Sequence, residues 1–198
     1  MLRVALTGGI ATGKSHVLEL FRQRGVPCLD ADLLAHGVEA AGTEATQAIA
    51  ARFGTGVLAA DGSVDRAKLA PIVFADASAR RELEAIVHPA VYRAIAAGLR
   101  AFELIGHPGL AIVDIPLLDE SGRASDFDAV IATVCRPEIQ LARLVARGMT
   151  DAAARQRLAA QLPAEEKARR ANYVIDTSGS YEDTSEQVDR VLRLLTQK

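Results

Sequence analysis

The chain has 198 residues, of which 49% are hydrophobic and 24% are charged, and its formal net charge at pH 7 is -2. This length predicts a single domain, residues 1–198, and the composition is that of a soluble globular enzyme. The net charge argues against a protein that binds nucleic acid by neutralising phosphates. No apolar run is long enough for a membrane span or a signal peptide. We therefore predict a cytoplasmic protein with a small-molecule substrate, no membrane contact and no obligate protein partner.

Short apolar runs alternate with helical patterns along the chain. The runs lie at 3–7, 26–30, 110–115, 129–134 and 173–176. Their lack of polar alternation is typical of parallel strands that are buried on both faces. Helical patterns lie at 14–23, 137–147 and 181–197. This alternation predicts an α/β fold with an open, parallel, five-stranded sheet and helices on both faces.

Two longer segments interrupt the alternation of strands and helices. The first, at about 31–105, reads as mostly helical, with a turn-rich centre at 53–62. The second, at about 138–170, is rich in Arg and Ala and is broken by Pro163. We interpret the first segment as a helical acceptor-binding insertion and the second as a small helical lid.

The segment GGIATGKS fits the phosphate-binding pattern G-x-x-x-x-G-K-[ST], and it lies between a predicted strand and a predicted helix, as the pattern requires. Its glycines permit positive φ angles, and its N–H groups, together with the helix amino terminus, form an anion site. Lys14 would bridge the β- and γ-phosphates, and the Ser15 hydroxyl would bind Mg²⁺. The predicted ATP site comprises Gly8, Gly9, Ile10, Ala11, Thr12, Gly13, Lys14, Ser15 and His16.

The second predicted strand ends in Asp30-Ala31-Asp32. Ligands of parallel α/β sheets bind beyond the carboxyl ends of the strands. A carboxylate there can accept a proton from an attacking hydroxyl or hold Mg²⁺ through water. Asp is also a good helix N-cap residue, and the pattern alone leaves both roles open.

Beyond these motifs, the chain resembles the dephospho-coenzyme A kinase family along nearly its whole length. The matching pieces are, in order, LTGGIATGKS, DADLLAH, ARFGTGVLAADGSVDRAKL, VFAD, LEAIVHP, DIPLLDE, PEIQLARLVAR and AAQLPAEEKARRANYVID. The resemblance implies a P-loop NTPase fold that uses ATP and Mg²⁺. It further implies transfer of the γ-phosphate to the ribose 3′-hydroxyl of dephospho-coenzyme A, the last step of coenzyme A synthesis.

By matching position, the resemblance implies that Asp32 is the general base and that Lys14 stabilises the γ-phosphate. It also implies that Arg143 and Arg147 come from the lid. Four residues apart on a helix, the two guanidinium groups would share a face and spread the charge of the transferring group. We expect both to lie remote from the loop before the lid closes. A solvated helix face is the alternative for such a pair.

The resemblance also implies which residues bind the acceptor. They are His36, Arg66, Phe74 and His88, together with Asp32. Arg66 would pair with an anionic group of the acceptor. His88 and the following Pro89 could instead mark a break in a helix, with the His88 imidazole held by a hydrogen bond. Asp114, at a strand end, matches a carboxylate that holds Mg²⁺ through water, a role that Asp32 could share. Asp114 could equally bond near Ser15.

Four residues depart from the family pattern. Thr12 replaces a common Ser, His16 stands where Ser or Thr is usual, Asp119 replaces an apolar or aromatic residue, and Thr177 replaces Asn. The last change puts an adenine contact in doubt.

The alternative functions are another small-molecule kinase, such as a nucleoside or shikimate-like kinase, and a nucleotide-dependent switch. The Asn-Lys-x-Asp segment typical of GTPase switches is absent from the sequence.

Overall fold

A computed structural model describes residues 1–106 and 109–197. The chain forms two compact units: one comprises Met1–Leu29 and Phe102–Lys198, and the other Asp30–Ala101. The second unit has nearly the bounds expected for the acceptor-binding insertion. Within the described residues, no helix is both long enough and apolar enough to cross a membrane.

The strands form one five-stranded sheet in the order β2-β3-β1-β4-β5. They are β1 (Leu2–Gly8), β2 (Cys28–Asp30), β3 (Leu110–Asp114), β4 (Ala129–Val134) and β5 (Tyr173–Asp176). Strand β1 pairs in parallel with both β3 and β4, and β4 pairs in parallel with β5. The predicted open parallel sheet is thus confirmed, although β2 is shorter than its apolar run.

The α-helices of the described residues flank the strands and build most of the second unit. In chain order they are α1 (Lys14–Gln23), α2 (Ala31–Val38), α3 (Glu44–Phe53), α4 (Arg66–Ala75), α5 (Ala77–Leu104), α6 (Pro137–Ala146), α7 (Asp151–Ala159), α8 (Ala164–Arg170) and α9 (Tyr181–Thr196).

The core of the first unit lies where α1 and α9 cover the sheet. Helix α9 begins with a capping box, in which Ser180 and Asp183 satisfy each other's backbone N–H groups. Its buried stripe, Val188, Val191 and Leu195, joins apolar residues of α1 and of the strands in one cluster. This packing holds the first helix after β1 firmly against the sheet, and with it the loop between them.

The second unit has a small core of its own, formed by Ile49, Val57, Val64 and Leu69. Its longest helix, α5, continues through Pro89. The interpretation that His88 and Pro89 mark a helix break, with a hydrogen-bonded imidazole, is therefore wrong. Pro89 removes only one backbone hydrogen bond, and the 28 residues of the helix supply many others. The His88 side chain is exposed and has no hydrogen-bond partner among the described residues.

Candidate active site

The phosphate-binding segment forms a tight loop between the end of β1 and the start of α1. Gly13 has φ 84°, and Ala11 has φ 60°, the only positive φ of a non-glycine residue in the described part of the chain. A Cβ at Gly8 would overlap the Thr133 hydroxyl, so close packing under the loop requires glycine there. The backbone N–H groups of His16 and Val17 bond to the Gly13 carbonyl and start the helix.

Three fully buried threonines connect the loop to the sheet: Thr12 of the loop, Thr7 of β1 and Thr133 of β4. The Thr12 hydroxyl lies 2.8 Å from the Gly9 carbonyl and 2.7 Å from the Thr133 hydroxyl. Thr133 in turn donates to the Thr7 carbonyl at 3.3 Å. Thr12, one of the departures from the family pattern, thereby links the loop to β4 and, through Thr133, to β1. Because these groups are buried, losing one partner would leave an unsatisfied polar atom, which is costly.

Lys14 and Asp114 form an ion pair at the carboxyl ends of β1 and β3. The exposed fractions of the two side chains are 14% and 5%, so the pair is largely shielded from solvent. The strand-end carboxylate therefore lies beside the loop lysine, where a carboxylate of the Walker-B type is expected. Asp114 thus bonds to the residue next to Ser15, as its alternative, bonding near Ser15, expected.

An oxygen-ligand site for Mg²⁺ fits this arrangement. Mg²⁺ is usually held by one or two protein oxygens together with water and substrate phosphates. The exposed Ser15 hydroxyl and the Asp114 carboxylate supply ligands of this kind. No group of three or more His, Cys, Asp or Glu side chains could hold a metal by itself among the residues that the structure describes.

Arg143 lies against the phosphate-binding loop. Its Nη1 donates to the Ala11 carbonyl at 3.1 Å and to the Thr177 hydroxyl at 3.0 Å, and its Nη2 donates to the Thr177 carbonyl at 2.8 Å. The expectation that Arg143 would lie remote from the loop is therefore wrong. The reason is that α6 packs beside the loop, with Leu144 buried against Ala11 in one cluster.

Arg147 does not share the helix of Arg143. Helix α6 ends at Ala146, and Arg147 is the C-cap residue that follows it. Its side chain is exposed and has no hydrogen bond or ion pair with another described residue. The predicted pair on one helix face is thus divided into an arginine that contacts the loop and one that stays in solvent.

Thr177 completes the support of the loop. Its hydroxyl donates to the Thr12 carbonyl at 2.7 Å and accepts from Arg143. The Cys135 thiol lies 3.8 Å from the Ala11 carbonyl on the same side of the loop, and burial raises the pKa of this thiol, which keeps it a neutral donor. Thr177, the departure at the position where Asn is usual, therefore has a structural role that no local sequence pattern predicted.

The segment after β3 is held by helix α8. The Lys167 side chain is fully buried and donates to the Pro116 carbonyl at 3.0 Å and to Glu120 at 2.8 Å. Asp119, another departure from the family pattern, lies 3.9 Å from Arg170 of the same helix. Both acidic side chains after β3 thus face basic side chains of α8. The sequence did not reveal Lys167, because a lysine within a run of charged residues is expected to be exposed to solvent.

His16 lies in the first turn of α1. Its ring meets the ring of Tyr181 edge-on, with 4.8 Å between the ring centroids. Its Nε2 atom is buried and has no hydrogen-bond partner in the described part of the chain. A role of His16 in nucleotide binding stays a prediction.

In the second unit, Asp30 and Asp32 have different surroundings. Asp30 is the N-cap of α2, and its carboxylate accepts from the N–H groups of Asp32 at 2.9 Å and Leu33 at 3.1 Å. Asp32 lies in the first turn of that helix, with an exposed side chain and no side-chain partner among the described residues. Of the two roles left open by the sequence, the N-cap is that of Asp30, and the catalytic role of Asp32 stays a prediction.

His36, Arg66 and Glu39 form a cluster in the second unit. The Nε of Arg66 donates to Glu39 at 2.5 Å, and its Nη1 lies 3.0 Å from the Nε2 of His36. Because arginine only donates, His36 accepts through Nε2 and carries its proton on Nδ1. Glu39, which is buried, fixes the position of Arg66 and was not found from the sequence.

Phe74 and His88 lie on α4 and α5, and both side chains are exposed. The Phe74 ring is 85% exposed, an unusual state for a large apolar side chain. Their predicted roles in binding the acceptor stay predictions.

Comparison with known proteins places these features in one family. The sequence model of the family described as Dephospho-CoA kinase matches residues 2–183. A dephospho-CoA kinase from Anaeromyxobacter dehalogenans is 47% identical over 190 residues, which cover 96% of this chain and 90% of the relative. A crystal structure from Thermus thermophilus has a TM-score of 0.83 and 34% identity, with 98% of both chains covered. Dephospho-CoA kinase from Campylobacter jejuni has a TM-score of 0.75 and 28% identity, with 98% of this chain and 97% of that chain covered.

Proposed function

The chain belongs to the dephospho-CoA kinase family, and we propose that it transfers the γ-phosphate of ATP to the ribose 3′-hydroxyl of dephospho-coenzyme A. The products are coenzyme A and ADP, and the reaction is the last step of coenzyme A synthesis. The observation that carries the proposal within the structure is the phosphate-binding loop, whose Lys14 is paired with Asp114 at the end of the neighbouring strand. We further propose Mg²⁺ as the cofactor and the cytoplasm as the location.

The loop and Lys14 would bind and polarise the ATP phosphates. The amino terminus of α1 directs partial positive charge toward an anion, and so would the loop N–H groups other than those of Ile10 and Thr12, which bond within the protein. The Lys14 ammonium would stabilise the negative charge that develops on the transferring phosphoryl group. It lies beside the loop, and its flexible alkyl chain lets it stay close to that group during transfer. The pairing with Asp114 keeps the ammonium close to the loop, so little reorganisation is needed when phosphate binds.

Mg²⁺, when bound, neutralises phosphate charge and orients the transferring group. We propose the Ser15 hydroxyl as its protein ligand, with Asp114 or Asp32 acting through water. The exposure of Ser15 and the position of the Asp114 carboxylate beside Lys14 support this assignment.

Asp32 would act as the general base. A general base must carry a free carboxylate that reaches the attacking hydroxyl within about 3 Å. Asp32 meets the first requirement, because its carboxylate is exposed and has no side-chain partner in the described part of the chain, whereas the Oδ1 of Asp30 already accepts from two backbone N–H groups. The match of Asp30-Ala31-Asp32 to the family motif supports the second requirement, that the carboxylate of Asp32 can reach the attacking hydroxyl.

The lid arginine that acts on the phosphates would be Arg147. We expect Arg147→Ala to lower kcat by about 10-fold, because a charged hydrogen bond to the transferring group is lost. Arg147→Lys should recover the rate only in part, since the planar fork is absent. The check is steady-state kinetics of both variants beside their thermal unfolding.

Arg143→Ala is the matched comparison for Arg147. Arg143 bonds the Ala11 carbonyl and Thr177, so its loss should lower the melting temperature and raise the KM for ATP. Arg147→Ala should leave the melting temperature unchanged. Equal kcat for Arg147→Ala and wild type would contradict this division of roles.

Arg66 would bind an anionic group of dephospho-coenzyme A. We expect Arg66→Ala to raise the KM for the acceptor by about 10-fold and to leave the KM for ATP unchanged. His36 and Glu39 hold the Arg66 side chain in place, so the guanidinium is already oriented for its ligand. The measurement is the pair of KM values at saturating concentrations of the other substrate.

Arg100→Ala supplies the control for Arg66. Arg100 is also exposed in the second unit, and it has no side-chain partner among the residues that the structure describes. Its replacement removes the same charge and should leave both KM values unchanged. If the two variants behave alike, Arg66 has no specific role in binding the acceptor.

The test of the function is an acceptor panel with ATP and Mg²⁺, in which product mass and the position of the new phosphate are read. Dephospho-coenzyme A should be phosphorylated on its 3′-oxygen, and ADP formation should depend on it. Adenosine should be a poorer acceptor, because remote contacts help to position the reacting hydroxyl. Shikimate should be inert. ADP formation at the same rate without any acceptor would favour a nucleotide switch and overturn the proposal.

A further inference from the structure

Two glutamines hold the peptide groups of Ile10 in the phosphate-binding loop. The Oε1 of Gln161 accepts from the Ile10 N–H at 2.9 Å, and the Nε2 of Gln140 donates to the Ile10 carbonyl at 2.8 Å. Because a backbone N–H only donates and a carbonyl only accepts, these contacts fix the orientation of both side-chain amides. Gln161 therefore acts as the acceptor for the Ile10 N–H, and Gln140 acts as the donor to the Ile10 carbonyl.

The glutamines reach Ile10 from two places in the chain. Gln140 lies on α6, and only 7% of the residue is exposed. A Cβ at Gly9 would lie 3.1 Å from its Nε2, so the neighbouring glycine makes room for this amide. Gln161 lies between α7 and α8, inside the segment interpreted as the lid, and it is partly buried.

Ile10 directly precedes the strained turn of the loop. The next residue, Ala11, has φ 60°, and its carbonyl is held by Arg143. A left-handed conformation of a residue other than glycine persists only when its surroundings hold it in place. The Ile10 contacts restrain the amino-terminal side of this turn, whereas Arg143 and Thr177 restrain the other side.

We propose that Gln140 and Gln161 are positioning residues for ATP, which keep the loop in the shape that receives the phosphates. Gln140 acts from a helix packed beside the loop, and Gln161 couples the segment between α7 and α8 to the same peptide. This role deepens the proposed function, on which it rests for the identity of the reaction, but nucleotide binding can be measured independently of the acceptor.

The test replaces each glutamine by methionine, which keeps the shape and removes the amide. We expect Gln161→Met and Gln140→Met to weaken binding of a fluorescent ATP analogue by about 5- to 10-fold in the absence of any acceptor. In steady state, the KM for ATP should rise and the KM for dephospho-coenzyme A should stay unchanged. Gln156→Met, on the exposed side of α7, is the matched control and should behave as wild type.

Thermal unfolding separates this role from a merely structural one. Gln161→Met should lose nucleotide affinity, with at most the small decrease in melting temperature that the loss of one partly buried hydrogen bond brings. If Gln140→Met does not fold, Gln161→Met decides the question alone. Unchanged nucleotide affinity, or equal increases in both KM values, would overturn the proposal and leave the kinase function intact. Weakened nucleotide binding in a protein for which dephospho-coenzyme A is inert would instead overturn the function alone.

Discussion

Replacing Asp32 by Asn should lower kcat by about 10²- to 10⁴-fold, the usual contribution of a general base. Asn has nearly the same shape as Asp but cannot accept the proton of the ribose hydroxyl at neutral pH. The affinity for ATP should change little, because the loop from Gly8 to Ser15 stays intact. Steady-state kinetics with dephospho-coenzyme A, together with direct measurement of ATP binding, checks both parts of this expectation.

Asp30→Ala is the informative control for Asp32. Asp30 caps α2 through two hydrogen bonds, so its loss should destabilise the fold by about 1 kcal/mol. Its effect on kcat should be much smaller than that of Asp32→Asn. A result in which Asp30→Ala abolishes turnover in a folded protein while Asp32→Asn does not would transfer the role of the base to Asp30.

Lys14→Ala should lower kcat by roughly 10²-fold or more, because the ammonium interacts more strongly with the transition state than with bound ATP. The structure places this ammonium at the end of the loop, where its partner is the Asp114 carboxylate. The variant loses the ion pair of the shielded Asp114 carboxylate, so its melting temperature should fall. The apolar core that α1 and α9 form with the sheet should keep it folded, and kcat is compared in the folded protein.

Lys68→Ala is the matched control for Lys14. Lys68 lies on α4 and is exposed, and among the residues that the structure describes its side chain bonds to Asp65 and to the Leu58 carbonyl. Its removal should leave kcat unchanged. A folded Lys14→Ala protein with near-normal turnover would show that the phosphate-binding loop does not perform the chemistry assigned to it.

The sheet and the loop could be predicted because their determinants are local. Strands β4 and β5 have the bounds that their apolar runs predicted. The glycine spacing and the lysine of the loop likewise lie within eight consecutive residues. A buried parallel strand and a phosphate-binding turn each leave their pattern in neighbouring residues.

The outcome at the two lid arginines shows where local reasoning ends. Spacing of four residues predicted one shared helix face, but α6 ends between Arg143 and Arg147. The pattern could not reveal that Arg143 would find the Ala11 carbonyl, which is 132 residues away in the chain. Hydrogen bonds over such distances depend on which elements the fold brings together.

The sequence by itself determined the class of fold, the phosphate-binding loop and, through the resemblance that its motifs carry, the family. Only the tertiary structure decided which polar side chains support that loop. The residues that support the loop are distant from it in sequence, and they include Thr177, Gln140 and Gln161. A threonine or a glutamine gives no indication, by its type alone, of the group to which it will hydrogen-bond. Similarly, the structure separated the cap, Asp30, from Asp32, because an N-cap is recognised by the N–H groups that its side chain meets. Local periodicity is fixed by the backbone, whereas such contacts are fixed by packing.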